Sequence, residues 1–184
     1  MGYIFPGTYK SCCYGLINLG TLKFENEGAD DKFTSQIMLL WEIHEELTSK
    51  PKRNLDALPP NIAKEYTLSL SNSSSLRSDL ESWRGRPFSE DEIRRFDLKT
   101  ILGGWCNLEI SDLKKNDELT LSMFTAILPL KDVQKIKLPK LKREIVFFNI
   151  HEPDWDVYKS FDTTIKEKLQ KSIDWKKAHN YKET

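Results

Sequence analysis

The chain of 184 residues has only three cysteines, Cys12, Cys13 and Cys106, an odd number without the spacing of a disulfide framework. Reduced thiols are the expectation. Cys12 and Cys13 are adjacent, so on a strand they point to opposite faces and cannot readily clasp one ion together. His44, His151 and His179 fall into no ligand spacing with them or with each other, and no metal or cofactor is assigned. No apolar run approaches the ~20 residues that span a bilayer. The opening Met1-Gly-Tyr-Ile-Phe-Pro-Gly has no basic region followed by a long apolar stretch, and Pro6 stands where a myristoylation signal prefers Ser or Thr, so a cytoplasmic location is expected.

Net charge is also missing. The 28 basic and 28 acidic side chains cancel, whereas proteins that hold nucleic acid by a broad field are usually basic. Any positive surface must be local. Catalytic signatures are absent as well: Gly103-Gly104 is a lone pair, neither Gly15 nor Gly20 opens a phosphate-cradling loop, and no histidine adjoins a plausible serine or cysteine motif. Acid pairs such as Asp30-Asp31 and Glu45-Glu46 read as solvated loop charges. No catalytic residue is assigned and a non-enzymatic role is expected.

What is present is material for a core: 39% of residues are hydrophobic, and a chain this long buries roughly 70% of its unfolded surface on folding. Alternation from Phe33 through Ser35, Ile37, Leu39, Trp41 and Ile43 predicts a strand over about 32–44, with Thr34, Gln36 and Glu42 outward and Met38 and Leu40 blurring that face. Weaker alternation predicts a strand over about 8–19, with Gly15 as a point of bending. The two form a hairpin. A third strand is read at Glu65 to Ser71. At Ser75 the period changes: Leu76, Leu80 and Trp83 recur at helical spacing, a serine caps the start and Gly85 ends the helix. Ser89-Glu-Asp-Glu is a capping-box pattern that opens a second small helical segment, which runs on to Gly103. Strands return at Trp105 to Ile110 and Glu118 to Leu128. A sixth strand or arm is read at Glu144 to Ile150, and a helix at Asp162 to Trp175.

Five principal strands with helix between the third and fourth predict a mainly β, α+β chain. The expected architecture is an OB-like five-stranded antiparallel barrel with a helical insert over 74–103. A β-sandwich with helical decoration is the other topology. Residues 1–130 would form the barrel domain, and 131–184 a basic connector with a strand and helix extension packed on it.

The candidate contacts are basic and aromatic. Trp83-Arg-Gly-Arg-Pro-Phe88 sets two guanidinium groups beside two rings, the materials for gripping phosphates and stacking bases. Arg77 lies seven residues before Arg84, on nearly the same helix face, so Arg77, Arg84 and Arg86 form a candidate row. Alternatively Asp79 and Glu81 neutralise it, and Trp83 and Phe88 are core anchors. From Lys131 to Arg143, Lys135, Lys137, Lys140, Lys142 and Arg143 belong to a basic run offset by Asp132 alone. Such a run also suits a solvated connector. Among strand aromatics, Tyr14, Tyr66, Phe124 and Trp105 are the stacking candidates, with Tyr66 and Trp105 preferred.

Tyr66-Thr-Leu-Ser-Leu, Ser75-Leu-Arg-Ser-Asp-Leu-Glu-Ser-Trp-Arg-Gly-Arg-Pro-Phe, Phe96-Asp-Leu and Leu102-Gly resemble a family of small phage and prophage proteins that are single-stranded-DNA-binding-like. Pro6-Gly-Thr-Tyr, Tyr14-Gly-Leu-Ile-Asn-Leu-Gly-Thr and Leu40-Trp-Glu-Ile look like the opening and second strand of the same proteins, so the likeness covers most of residues 5–130. It implies an OB-type core that binds single-stranded DNA without strong sequence preference during phage replication or recombination, in the host cytoplasm. No cofactor is implied. Phage replication or recombination proteins and a second copy of the chain are the further partners considered. The other reading is a protein-interaction adaptor or host-factor inhibitor, which would dock through Trp155, Tyr158 and Phe161.

Overall fold

The computed structural model describes residues 4–24, 30–44, 58–115, 119–130 and 137–180. Its organising element is β1 (Gly7–Phe24), a strand of 18 residues. β2 (Lys32–His44) returns antiparallel beside it, from Phe24↔Lys32 to Lys10↔His44. On its other edge β1 is shared between two strands. Gly7 to Cys12 pair antiparallel with β4 (Trp105–Lys115), and Gly15 to Asn18 pair in parallel with β6 (Val146–Asn149). β3 (Asn61–Thr67) extends the sheet beyond β2 and β5 (Leu119–Leu128) beyond β4, giving the order β3-β2-β1-β4-β5.

The β1–β2 hairpin is buried on both faces, which explains why its alternation is blurred. Ile37, Leu39, Trp41 and Ile43 join Tyr66, Leu108 and Phe124 in one core. Met38 and Leu40 join Ile17, Leu19, Phe148 and Leu169 in a second core on the opposite face. Gln36 and Glu42, expected outward, are 6% and 0% exposed because the C-terminal elements cover that face. Towards the hairpin tip the cover ends, and Phe33 and Ser35, expected in the core, are exposed. β1 bends by register shifts at Cys13/Gly15 and Asn18/Gly20. Gly15 is required by close approach, since a Cβ there would lie 2.7 Å from Leu40 Cδ1.

β3 begins and ends about four residues earlier than its sequence pattern suggests. Ile62 and Tyr66 are its buried residues, opposite Trp41 and Ile37. After Thr67 serine hydroxyls capture the backbone: Ser74 Oγ donates to Ser69 O at 2.7 Å, and Ser71 N donates to Ser69 Oγ. Such side-chain turns compete with a ladder. The same serines lead into α1 (Ser75–Arg84), which Ser74 caps through the N–H of Arg77 and Gly85 ends at φ 73°.

Leu76 and Leu80 of α1 are buried across the gap between β3 and β5. Asp79 accepts from Tyr66 Oη and Lys64 Nζ of β3, both at 2.7 Å, while Ser82 Oγ donates to Ile127 O of β5. Among the described residues no ladder joins β3 to β5. The expected order of five strands with helix between the third and fourth is therefore present in an open sheet whose gap α1 bridges. α2 (Glu90–Arg95) follows behind the capping box of Ser89 and Glu92, then a 3-10 turn at Leu98–Ile101.

α3 (Trp155–Ser160) comes first, and the helix expected over Asp162 to Trp175 stops short as α4 (Thr163–Gln170), with a separate α5 (Trp175–Asn180) beginning where it was to end. The break after α4 follows from its contacts with β1. Asp174 Oδ2 accepts from Thr21 N at 2.8 Å, Ile173 N donates to Thr21 O at 3.0 Å, and Ser172 Oγ donates to the same carbonyl. Ile173 is thereby turned out, 47% exposed, away from Ile165 and Leu169. Gly20 makes the close approach feasible, with φ 75° and no Cβ, which would otherwise lie 2.5 Å from Ser172 Oγ.

Burial alone would raise the Asp174 carboxyl, but the hydrogen bonds from Thr21 together with the charges of His151 and Lys177 outweigh it and hold the group below its ordinary 3.8. A depressed folded value stabilises the fold above the unfolded value, and that stability is lost as pH falls through the folded one. Asp174→Asn is therefore expected to reduce the fall in melting temperature between pH 6 and pH 3 relative to the unmodified protein, measured by circular dichroism.

Candidate nucleic-acid interface

The arginine row of α1 meets carboxylates before it meets solvent. Arg77 Nε donates to Glu81 at 2.9 Å and its Nη1 to Leu70 O at 3.3 Å. Glu92, the residue that completes the capping box, also gathers Arg84 Nη2 at 2.6 Å and both terminal nitrogens of Arg86, at 2.6 and 3.0 Å. Arg86, Arg84 and the Ser89 N–H hold the Glu92 carboxyl far below the usual range. The Arg84 guanidinium lies over the Phe88 ring at 4.1 Å, and its Nη1 is buried without a hydrogen-bond partner. Arg77 and Arg84 therefore fix the helix corner, while Arg86 keeps 60% of its side chain exposed. Ser89 and Glu92 were legible as a cap. The second duty of Glu92 was not, because its arginine partners lie six and eight residues away, outside α2.

Most strand aromatics are core. Tyr66 is 2% exposed, with its hydroxyl on Asp79 and its pKa raised by burial first and then by that carboxylate. It presents no face to a base. Phe124 packs edge-on against Trp41 at 5.0 Å, and Tyr14 lies beneath the Arg143 guanidinium at 5.4 Å. Trp105 differs: it is half-buried and its ring stands 5.0 Å from that of His44. The Trp83 indole Nε1 fixes its position by donating to Trp105 O at 3.0 Å.

Of the basic run, Lys135 lies outside the described residues, while Lys137, Lys140 and Lys142 are exposed. Arg143 is engaged, donating from Nη1 to Pro59 O at 2.6 Å and to Glu42 Oε2 at 3.3 Å. Glu42 is the residue that sequence reasoning missed. Its buried carboxylate also accepts the backbone N–H groups of Lys142 and Arg143, both at 2.9 Å, and contacts His44 Nε2 at 2.8 Å. Alternation assigned Glu42 to the correct face but could not show that this face is covered. Through Glu42 the end of the basic run is held beside His44 and Trp105.

Next to Trp105 the outer face of the sheet is open. The cross-strand pairs Thr8↔Glu109 and Lys10↔Asn107 are exposed and half-buried respectively, opposite the buried side chains of Cys106, Leu108 and Ile110. On the other side of Trp105 lies a groove of about 770 Å³ at the α1–α2 corner, which Trp105 shares with Trp83, Arg84, Phe88 and Phe96. The structure thus brings Arg84, Trp105, Lys142 and Arg143 to one end of the hairpin, and leaves Tyr66 and Arg77 away from it. Phe24 and Phe33, 45% and 54% exposed at the other end, are aromatic surface that their strand pattern did not reveal. The adaptor patch is dispersed, with Phe161 buried and Trp155 and Tyr158 half-buried against Trp175.

The cysteines are buried and free, and burial, followed by the Glu42 charge, pushes Cys12 up to about 11. Among the described residues no group of three His, Cys, Asp or Glu side chains is placed to hold a metal ion, and no helix is long and apolar enough to cross a membrane. Comparison with family models, curated proteins and solved structures finds no match to this chain.

Removing one partner of a buried ion pair strands the other charge. Glu42→Ala is therefore expected to cost about 3–5 kcal/mol in urea denaturation. Glu42→Gln, which keeps one acceptor, should cost less.

Proposed function

We propose that the protein binds single-stranded DNA, without turnover and largely without sequence preference, in phage DNA replication or recombination within a bacterial host cell. The order β3-β2-β1-β4-β5, with helix between β3 and β4, supports an OB-type core in which α1 stands where the two outer strands would meet. Folds of this type are suited to oligonucleotides, although the fold alone does not carry the function.

The observation that carries the proposal is the grouping around Trp105. A half-buried indole beside His44 offers a stacking surface, and the exposed Lys140 and Lys142 sit on a segment anchored next to it by Glu42. Stacking tolerates any base, and lysines on a flexible stem neutralise phosphates without reading sequence. The open outer face at Lys10 and Asn107 gives the strand a path away from Trp105. The C-terminal elements bar it from the outer face of β2 around Met38 and Leu40. A neutral chain with a few exposed cations in one place binds through a short salt-sensitive contact rather than a broad field. The resemblance to phage single-strand binders across the Tyr66 to Ile110 block agrees with this use.

The test is fluorescence anisotropy of a thirty-base oligonucleotide, single-stranded and duplex, at two salt concentrations. Preferential, salt-sensitive binding to the single strand is expected. Trp105→Ala should weaken it by about 1–3 kcal/mol, and Lys140→Ala with Lys142→Ala should flatten the salt slope by about one to two units. No binding to either oligonucleotide at micromolar protein and low salt overturns the proposal and directs the search to a protein partner.

A further inference from the structure

The pairing of β1 with its two neighbours sets a polar row on the open outer face of the sheet. Lys10 lies opposite His44 of β2 on one side and opposite Asn107 of β4 on the other. Residues directly opposite in antiparallel strands share a face, so an imidazole, an ammonium and an amide stand side by side across three strands. The next row on that face is Glu42, Cys12 and Trp105, and on the other side of Lys10 the row continues to Thr8 and Glu109.

His44 is the member of this row whose charge is not fixed. Its Nε2 contacts Glu42 Oε1 at 2.8 Å, and a carboxylate only accepts, so Nε2 carries a hydrogen in both the neutral and the charged ring. Nδ1 is then the atom that takes up or releases a proton, and among the described residues it has no hydrogen-bond partner. Histidine is the side chain that ordinarily changes charge between about pH 5 and 8. Charges of both signs surround the ring. Glu42 lies beside it on β2, Lys10 and Cys12 on β1, and Lys142 and Arg143 on the segment whose N–H groups share the Glu42 carboxylate. Glu109 is one row further along β4, and Glu45 and Glu46, next in the chain, lie outside the described residues. Glu42 favours a charged imidazole, but its oxygens also serve Arg143 and two backbone N–H groups, and Lys10 opposes a second cation beside it. An anion placed over the row tips that balance towards the charged ring.

We propose that His44 is a contact of the bound strand that takes up a proton on binding: a phosphate settles over Lys10 between His44 and Asn107, a base lies on the adjacent Trp105, and Nδ1 gains a proton from solvent and turns from acceptor to donor. The inference rests on the single-strand reading above. Lys10 supplies the fixed charge and the proton on His44 the second. His44 keeps 10% of its side chain exposed, which suits a contact made by one edge of the ring. Glu109 repels the phosphate from the far row and so confines it to Lys10. A carboxylate of an acidic peptide would satisfy the same two cations, but it brings no flat ring to the indole beside them.

The probe is oligo-dT, whose bases do not titrate between pH 6 and pH 8, followed by fluorescence anisotropy at constant ionic strength. The full-length protein is expected to bind it about tenfold more tightly at pH 6 than at pH 8, because a strand that favours the protonated ring is favoured by protons in turn. The salt slope should be steeper at pH 6 by about 0.7, the equivalent of one added phosphate contact on a single strand. His44→Gln, whose amide can still donate to Glu42, should lose most of the pH dependence, whereas His151→Gln should keep it. In NMR of the unmodified protein, oligo-dT should move the titration of the His44 imidazole signals to higher pH, a readout that does not depend on the folding of any variant. Equal affinity at the two pH values, or a His44 titration unmoved in the saturated complex, overturns the proposal and leaves the single-strand reading standing. A pH dependence that survives His44→Gln also overturns it. No binding of oligo-dT at either pH overturns both readings, and hexaglutamate binding with the expected pH dependence in that case assigns the row to an acidic protein partner.

Discussion

The β1–β2 hairpin must bury both of its faces, and most of the structure follows from that constraint. One face is covered by α1 with β3, β4 and β5, the other by the elements beyond Val146. Apolar burial at roughly 25 cal/mol per Å² makes a two-sided strand a strong organiser, but it also requires two covers that approach closely. Gly15 against Leu40 and Gly20 against Ser172 are where that closeness is felt. Because the C-terminal elements occupy the outer face of β2, the part of the sheet left for a ligand is the sector next to β4, where Trp105 stands.

Charge in this molecule is distributed by pairing rather than by field. Arginine, with its planar fork, is used where geometry must be fixed: Arg77 on Glu81, Arg84 and Arg86 on Glu92, Arg143 on Glu42. Lysine is left more often at the surface, as at Lys137, Lys140 and Lys142. A neutral total therefore coexists with a local cluster of exposed lysines. The row of arginines that looks like a phosphate track in the sequence is mainly the frame of the α1–α2 corner.

Features that depend on local chemistry were readable from the sequence. The strand at 32–44, the helix between Ser74 and Gly85, and the capping box at Ser89 all arise from alternation or caps within a few residues. Features set by distant partners were not. β3 is placed by its register with Ile37 and Trp41 and by the serine turn that ends it, and a periodicity of leucines past Thr67 gives no sign of either. Glu42 reads as an outward charge until the segment around Arg143, a hundred residues later, covers it. The parallel pairing of β6 with β1 likewise has no signature in Val146 to Asn149. For the candidate interface, the residue types were legible and their company was not: Trp105 stands at the centre, whereas Tyr66 faces inward because its hydroxyl has Asp79 to meet.

The pairing of β6 with the middle of β1 also bears on how the chain is made. β1 emerges first during synthesis and β6 more than a hundred residues later, so the nascent protein carries an incomplete hairpin for most of its time on the ribosome. During that interval Ile17, Leu19, Met38 and Leu40 face water, and the edge of β1 at Gly15 to Asn18 has open hydrogen-bonding groups that can template another strand. Interrupted translation thus yields a sticky fragment rather than a smaller working protein. Loss of the last quarter of the chain acts on solubility before it acts on binding.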